Sequence, residues 1–252
     1  MELRSLTRGL QIIELFTYEK PVLTFDEIRA QCRFPASTLY RFLDNLTQAG
    51  LLKLNPLTKE YRLGMVFVRL SQVAQKGVPL IELCYPLMRR VSAETGESVF
   101  LSIREGREKV CVSSVESGGR SVRYVPKPGS VAPLHVGASG KSILAFLRPE
   151  EIKEVLSKGK LIAVTPKTTT DKAKLKDHLA RIRKNGYAYT EGESVSGAWG
   201  LAFPILDPSG FARASLTLAG TQLDSPGPRL KTFVEIMRRA VSKIEKELWK
   251  EG

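Results

Sequence analysis

Apolar residues recur with helical spacing through the first fifty positions. Leu6, Leu10, Ile13 and Phe16 stand four, three and three apart, which predicts a first helix with those residues on its inner face, ended by Pro21. Thr24-Phe25-Asp26-Glu27 has the form of a capping box, in which Thr24 and Glu27 satisfy each other's orphan amides. It opens a second helix, about 24–32, with Phe25 and Ile28 inward. After a turn at Arg33-Phe34, Pro35 suits the first position of a third helix. There Leu39, Phe42, Leu43 and Leu46 follow i, i+3, i+4, i+7, and Ser37, Thr38, Tyr40, Arg41 and Asn45 fall on the opposite face. Gly50 is placed as a left-handed cap. Leu51–Leu54 and Tyr61–Leu63 then read as two strands around a turn at 55–59.

Residues 65–76 carry an apolar stripe (Met65, Val68, Leu70, Val73) that Gly77 and Pro79 interrupt. A second helical pattern, 80–95, places Leu80, Leu83, Leu87 and Val91 inward and ends at Gly96. These two helices serve either as core of the larger domain or as a hinge and dimer contact. Beyond them Val99–Ile103, Lys109–Val115 and Ser121–Val125 are strand-like, and Leu144–Leu147, 149–157 and 171–184 are helical. Leu201–Leu206 and Ala214–Leu218 return to strand across Asp207-Pro208-Ser209-Gly210, and a long amphipathic helix occupies about 228–250. Strands, then helices, then strands describe an α+β domain with a largely antiparallel sheet.

Composition narrows the function. The 252 residues carry 39 Lys+Arg against 26 Asp+Glu, a net charge of +13. Residues 1–75 hold ten Lys/Arg against seven Asp/Glu, and 153–184 hold ten against three. The second stretch reads as a solvated helical face or as a phosphate-binding surface. Three widely spaced cysteines and two histidines argue against a disulfide framework, a metal site or histidine-based catalysis. No run approaches the length of a membrane span, and the N-terminus lacks a secretory pattern. We therefore expect a soluble, cytoplasmic protein with no metal and no cofactor.

Three short helices followed by a hairpin form a winged helix-turn-helix whose third helix suits a DNA major groove. Arg41 has the paired donors that guanine or phosphate accepts, and Ser37 and Thr38 sit at a helix N-terminus, where amides attract phosphate. Tyr40 suits a thymine methyl or a backbone oxygen. Lys59 at the wing tip and Arg8 on the first helix would anchor the backbone without reading sequence. Arg8-Gly9-Leu10-Gln11-Ile12-Ile13, the segment Phe34-Pro35-Ala36-Ser37-Thr38-Leu39-Tyr40-Arg41-Phe42-Leu43, then Gly50-Leu51-Leu52 and Tyr61-Arg62-Leu63-Gly64 together resemble the IclR family of bacterial transcriptional regulators. The resemblance covers essentially the whole chain. It implies a winged helix-turn-helix domain at 1–64, a helical linker at 65–95 and a GAF-like effector-binding domain at 96–252. The expected DNA-binding set is Arg8, Thr24, Ser37, Thr38, Tyr40, Arg41, Asn45 and Lys59, with a double-stranded operator as partner and a homodimer or homotetramer as the assembly.

One motif points elsewhere. His135-Val136-Gly137-Ala138-Ser139-Gly140-Lys141-Ser142 is one residue short of a P-loop, with His135 in place of the first glycine. Pro126, Pro128 and Pro133 make poor material for the central strand a P-loop requires. A nucleotide-binding enzyme built on 135–142 is the rival function. The segment otherwise reads as an anion-binding turn opening a helix, or as a tight packing turn that needs small residues.

By resemblance, this turn lends the amides of Ala138 and Ser139 to an effector carboxylate. Relatives that take small oxo-acids show Gly-x-x-Cys before a strand ending in Pro. Here the segment is Gly197-Ala198-Trp199-Gly200 ahead of Leu201–Pro204, with Gly200 at the cysteine position. Two serines of the next strand are matched by Thr217 and Ala219. Losing donors leaves a small polar acid with unpaired oxygens. The expected effector-binding set is Ala138, Ser139, Ala198, Trp199, Gly200, Thr217 and Ala219, around a small organic acid that is larger and partly apolar, such as an aromatic carboxylate. The other reading turns Trp199 outward or into the core.

Overall fold

In the computed structural model, which describes residues 4–118, 124–157 and 159–250, the chain divides into two compact units at Gly77/Val78. The first is built on α1 (Arg4–Ile13), α2 (Phe25–Cys32) and α3 (Ala36–Gln48), with β2 (Leu52–Leu54) and β3 (Glu60–Leu63) forming the wing. A third strand that the pattern did not announce, β1 (Val22–Thr24), pairs antiparallel with β3. The core is Ile12, Phe16, Leu23, Ile28, Leu39, Leu43, Leu46, Leu52 and Tyr61. The first helix is rotated from its expected facing. Gly9 and Ile12 are its buried residues, whereas Leu6 and Leu10 are exposed. Gly9 faces Leu46, where an added methyl group would stand in ordinary contact at 3.9 Å. Gly64 closes the wing, where a side chain would come within 1.8 Å of Gly50 O.

α4 (Val66–Lys76) belongs to the first unit and buries none of its residues. α5 (Pro79–Thr95) belongs to the second, where Leu80, Cys84, Met88 and Val91 are core. The stretch 65–95 thus contains one helix from each unit.

Among the described residues of the second unit, six strands form one antiparallel sheet. They are β4 (Ser98–Glu105), β5 (Glu108–Val115), β6 (Val131–Pro133), β7 (Ala188–Glu191), β8 (Ala198–Leu206) and β9 (Ala212–Thr221), in the order β6-β5-β4-β9-β8-β7. The short strands β6 and β7 form the edges. The strand expected at Ser121–Val125 falls largely outside the described residues. α5 and α9 (Leu230–Leu248) cover one face of the sheet, and α6 (Gly137–Ala145) and α8 (Lys172–Asn185) cover the other, with α7 (Pro149–Ser157) beside them. The β8–β9 hairpin turns at 207–210, where Asp207 Oδ1 accepts from the amides of Ser209 (2.9 Å) and Phe211 (3.1 Å). No helix is long and apolar enough to cross a membrane among the described residues.

Candidate functional site

α3 is held from below by Leu39, Leu43 and Leu46, and this fixes what it presents above. Ser37, Tyr40, Arg41 and Asn45 are exposed, and Thr38 is half-buried. Tyr40 does not swing freely, because its ring stacks on Phe25 with centroids 4.3 Å apart. Arg8 is exposed and lies over the Phe34 ring at 5.3 Å. Lys59 stands at the wing tip with φ 59°, in a turn where Asn55 Oδ1 accepts from the Leu57 amide. These side chains line a single small domain.

Thr24 has a structural role of its own. Its hydroxyl accepts from the Glu27 amide (3.4 Å) and donates to Glu27 Oε2 (3.1 Å), while Glu27 Oε2 accepts from the Thr24 amide (2.8 Å). The side chain forms the capping box of α2 and so holds that helix end.

In the second unit, α6 opens against the sheet. All nine of its residues are buried, Gly137 takes φ 70°, and a side chain at Gly140 would lie 2.4 Å from Leu134 O. Both glycines are therefore required by the path of the turn. Ser142 Oγ lies 2.8 Å from Ser139 O and 2.8 Å from Ser215 Oγ, which pins the helix to β9. Ala138, Gly200 and Thr217 meet here. A methyl group at Gly200 would stand 3.3 Å from Ala138 Cβ and 3.8 Å from Thr217 Cγ2. Ala198 shares the face of Gly200 by strand alternation, and Ala219 clusters with Phe100, Cys111, Tyr124 and Val125. Ser139 Oγ is buried and has no hydrogen-bond partner among the described residues.

Trp199 is corrected. It lies on the other face of β8, stacked against Phe233 of α9 at 6.1 Å and near Tyr189 at 6.3 Å. It is 2% exposed and fills the space above Gly220. The signal was present in the sequence. β8 alternates small and large residues, and Trp199 goes with Leu201, Phe203 and Ile205 into the α5/α9 core.

The P-loop resemblance does not extend to its geometry. The preceding strand, β6, is a three-residue edge strand, and its lysine is already engaged. Lys141 Nζ, fully buried, donates to Glu193 Oε1 (2.6 Å) and Thr169 Oγ1 (3.1 Å) and lies 3.2 Å from His178 Nδ1. Burial lowers its pKa, and the Glu193 carboxylate opposes that shift. His178 is half-buried against this ammonium. His135 Nε2 lies 2.9 Å from Ile162 O and, chiefly through burial, is held below its ordinary pKa.

Lys109 went unrecognised in the sequence. It is buried on β5, and its Nζ donates to Val136 O at 3.0 Å, directly before α6. Burial pulls its pKa down to about 8. Alternation along β5 carried the clue, since Lys109 and Cys111 share the face turned away from the α5 core, before a register shift at Val112 interrupts the pattern.

The chain matches the family model for the IclR helix-turn-helix domain over residues 5–56 and that for the bacterial transcriptional regulator IclR C-terminal domain over 72–246. It is 31% identical over 242 residues to the HTH-type transcriptional regulator BhcR of Paracoccus denitrificans, spanning 96% of this chain and 86% of that one. It is 28% identical over 247 residues to the HTH-type transcriptional regulator KipR of Bacillus subtilis, spanning 97% of each. A solved IclR homolog from Microbacterium hydrocarbonoxydans, complexed with 4-hydroxybenzoate, superposes with a TM-score of 0.80 at 29% identity, covering 97% of this chain and 98% of that one. With a helix-turn-helix domain ahead of an effector domain, the chain belongs to the IclR family of bacterial transcriptional regulators.

Proposed function

We propose that this regulator binds a pseudo-palindromic operator as a homodimer or homotetramer and alters transcription, as repressor or activator, in response to a small organic acid. The exposed face of α3 carries the reading. Arg41 and Asn45 would meet base edges, Ser37, Thr38 and Tyr40 the flanking backbone, and Arg8 and Lys59 would anchor phosphates. Two-fold symmetry in the protein calls for two-fold symmetry in the DNA. A second copy is supported by α4, whose Val68, Leu70 and Val73 are exposed together with Met65 just ahead of it.

The acid group is assigned to the opening turn of α6, with Ala138 and Ser139, and Gly200, Thr217, Ala219 and Ala198 form the wall behind it. Without Trp199, the partly apolar character of the ligand rests on Phe100, Tyr124 and Val125. An aromatic acid, the class of ligand bound by the Microbacterium relative, fits an acid-binding turn beside such a wall. We read the protein as non-catalytic, since the lysine a nucleotide enzyme would use is engaged by Glu193.

The test titrates the full-length protein into its own upstream DNA and into a scrambled duplex of equal length, at two salt concentrations, beside Arg41→Ala. Specific binding is expected at about 10³-fold or more over non-specific, collapsing in Arg41→Ala. Equal, steeply salt-dependent binding to both duplexes would overturn the assignment of α3 as the reader of that DNA.

A further inference from the structure

A buried ammonium is costly unless a counter-charge is near. Lys141 has one in Glu193. Lys109 has none in contact: among the described residues its Nζ hydrogen-bonds only to the Val136 carbonyl, and the Glu193 carboxylate, already bonded to Lys141, acts on it without a hydrogen bond. The same spot carries a second positive feature. α6 begins with no side-chain cap and no acidic residue in its first turn, so its free amides and positive dipole end face the same place. The buried hydroxyl of Ser139, in that first turn, also lacks a partner. A methyl group at Gly137 would stand 3.9 Å from Lys109 Nζ, so the ammonium and the turn are in direct proximity.

We propose that Lys109 is the counter-charge of the effector's acid group, which seats against its Nζ, the opening amides of α6 and the Ser139 hydroxyl. The assignment rests on the reading of the second unit as an organic-acid receptor. It selects a ligand with a carboxylate at one end and an apolar body toward Phe100, Tyr124 and Val125.

A proton linkage follows. In the ligand-free protein burial lowers the Lys109 pKa to about 8, with Cys111 on the same strand and Glu193 pulling the other way. A carboxylate placed against Nζ pulls it up further. Binding just above pH 8 therefore draws a proton from solvent onto Nζ, and affinity falls as the pH rises beyond about 8. Burial holds Cys111 up at about 11 and raises Tyr124, while His135 is held below its ordinary value. None of these three accounts for uptake in that window.

Titration calorimetry on the full-length protein tests this with benzoate, 4-hydroxybenzoate, pyruvate and glyoxylate, each in two buffers of different ionisation enthalpy slightly above pH 8. The wild type is expected to bind at least one acid with proton uptake. Lys109→Met should bind it about 10- to 100-fold more weakly. Lys109→Arg, whose charge does not titrate, should keep most of the affinity without the uptake. If Lys109→Met does not fold, the wild type and Lys109→Arg still decide. An acid that binds the wild type without proton uptake, or binds Lys109→Met equally well, overturns the role of Lys109 and leaves the receptor standing. Failure of all four acids to bind the wild type at millimolar concentration overturns both.

Discussion

Individual residues in this protein are fixed by what stands beside them. Gly140 is a strict case, since any side chain would meet the Leu134 carbonyl at 2.4 Å, backbone that cannot rotate away. Gly140→Ala is expected to cost about 1–3 kcal/mol by overpacking, read as a lower midpoint in denaturant with an unchanged slope. Trp199 offers a different contrast. Its stacking on Phe233 makes it a core residue, so Trp199→Phe should lower stability by about 1–2 kcal/mol and leave affinity for a bound acid within about threefold, a shift worth under 1 kcal/mol. A large change in acid affinity with unchanged stability would return Trp199 to the ligand site. Lys109 was harder to recognise because a lysine in a strand ordinarily reads as solvent-facing. Only the burial of both sheet faces makes it an interior charge.

Elements follow local chemistry where that chemistry is strong. The capping box at Thr24–Glu27 and the stripe of α3 are legible because each is set by residues within one turn of one another. The same holds for the Asp207–Gly210 hairpin. The strands β1, β6 and β7 are three or four residues long and have no such signature, since pairing partners distant in sequence create them. The facing of α1 was misjudged for a related reason. An apolar spacing tells that a helix has a preferred side, but the partners it packs against, here burying Gly9 and Ile12, select it. Two predictions belong at this scale. Thr24→Ala should destabilise the N-terminal unit by about 1 kcal/mol. The Glu27 carboxyl is held at about 2 instead of 4.5, first by Lys20 and then by Thr24. A depressed pKa means that its contribution is present above 4.5 and lost as the pH falls through about 2. Glu27→Gln should therefore flatten the acid limb of the stability profile, followed by circular dichroism between those values.

At the scale of the whole molecule, α4 and the exposed Leu6 and Leu10 leave apolar surface that the proposed second copy would cover. Val68→Glu with Val73→Glu is expected to shift the sedimentation of the protein toward monomer and to weaken operator binding. A variant that stayed oligomeric would exclude α4 from the interface. The proposed effector response carries a thermodynamic constraint. Whatever factor a bound acid applies to operator affinity, operator DNA must apply to acid affinity, typically about 5- to 150-fold. Paired titrations that gave unequal factors would show that the two ligands do not share one equilibrium. The outline at this scale was legible from the sequence, because two units with different periodicities announce two domains. The side of the sheet each residue serves was not, because both faces of the second unit's sheet are buried and hydrophobicity alone does not tell them apart.

The buried, glycine-locked start of α6 has a consequence for how this regulator can evolve. Gly137 and Gly140 leave no room for variation in the part of the site that would recognise the acid group. Phe100, Thr217 and Ala219 lie on strands, where a side chain can change size without redirecting the backbone. New ligand preferences are therefore open to selection on the sheet and closed at the turn. With the acid group seated as proposed, a lineage diverging from this chain would keep a taste for acids while changing which acid it answers to.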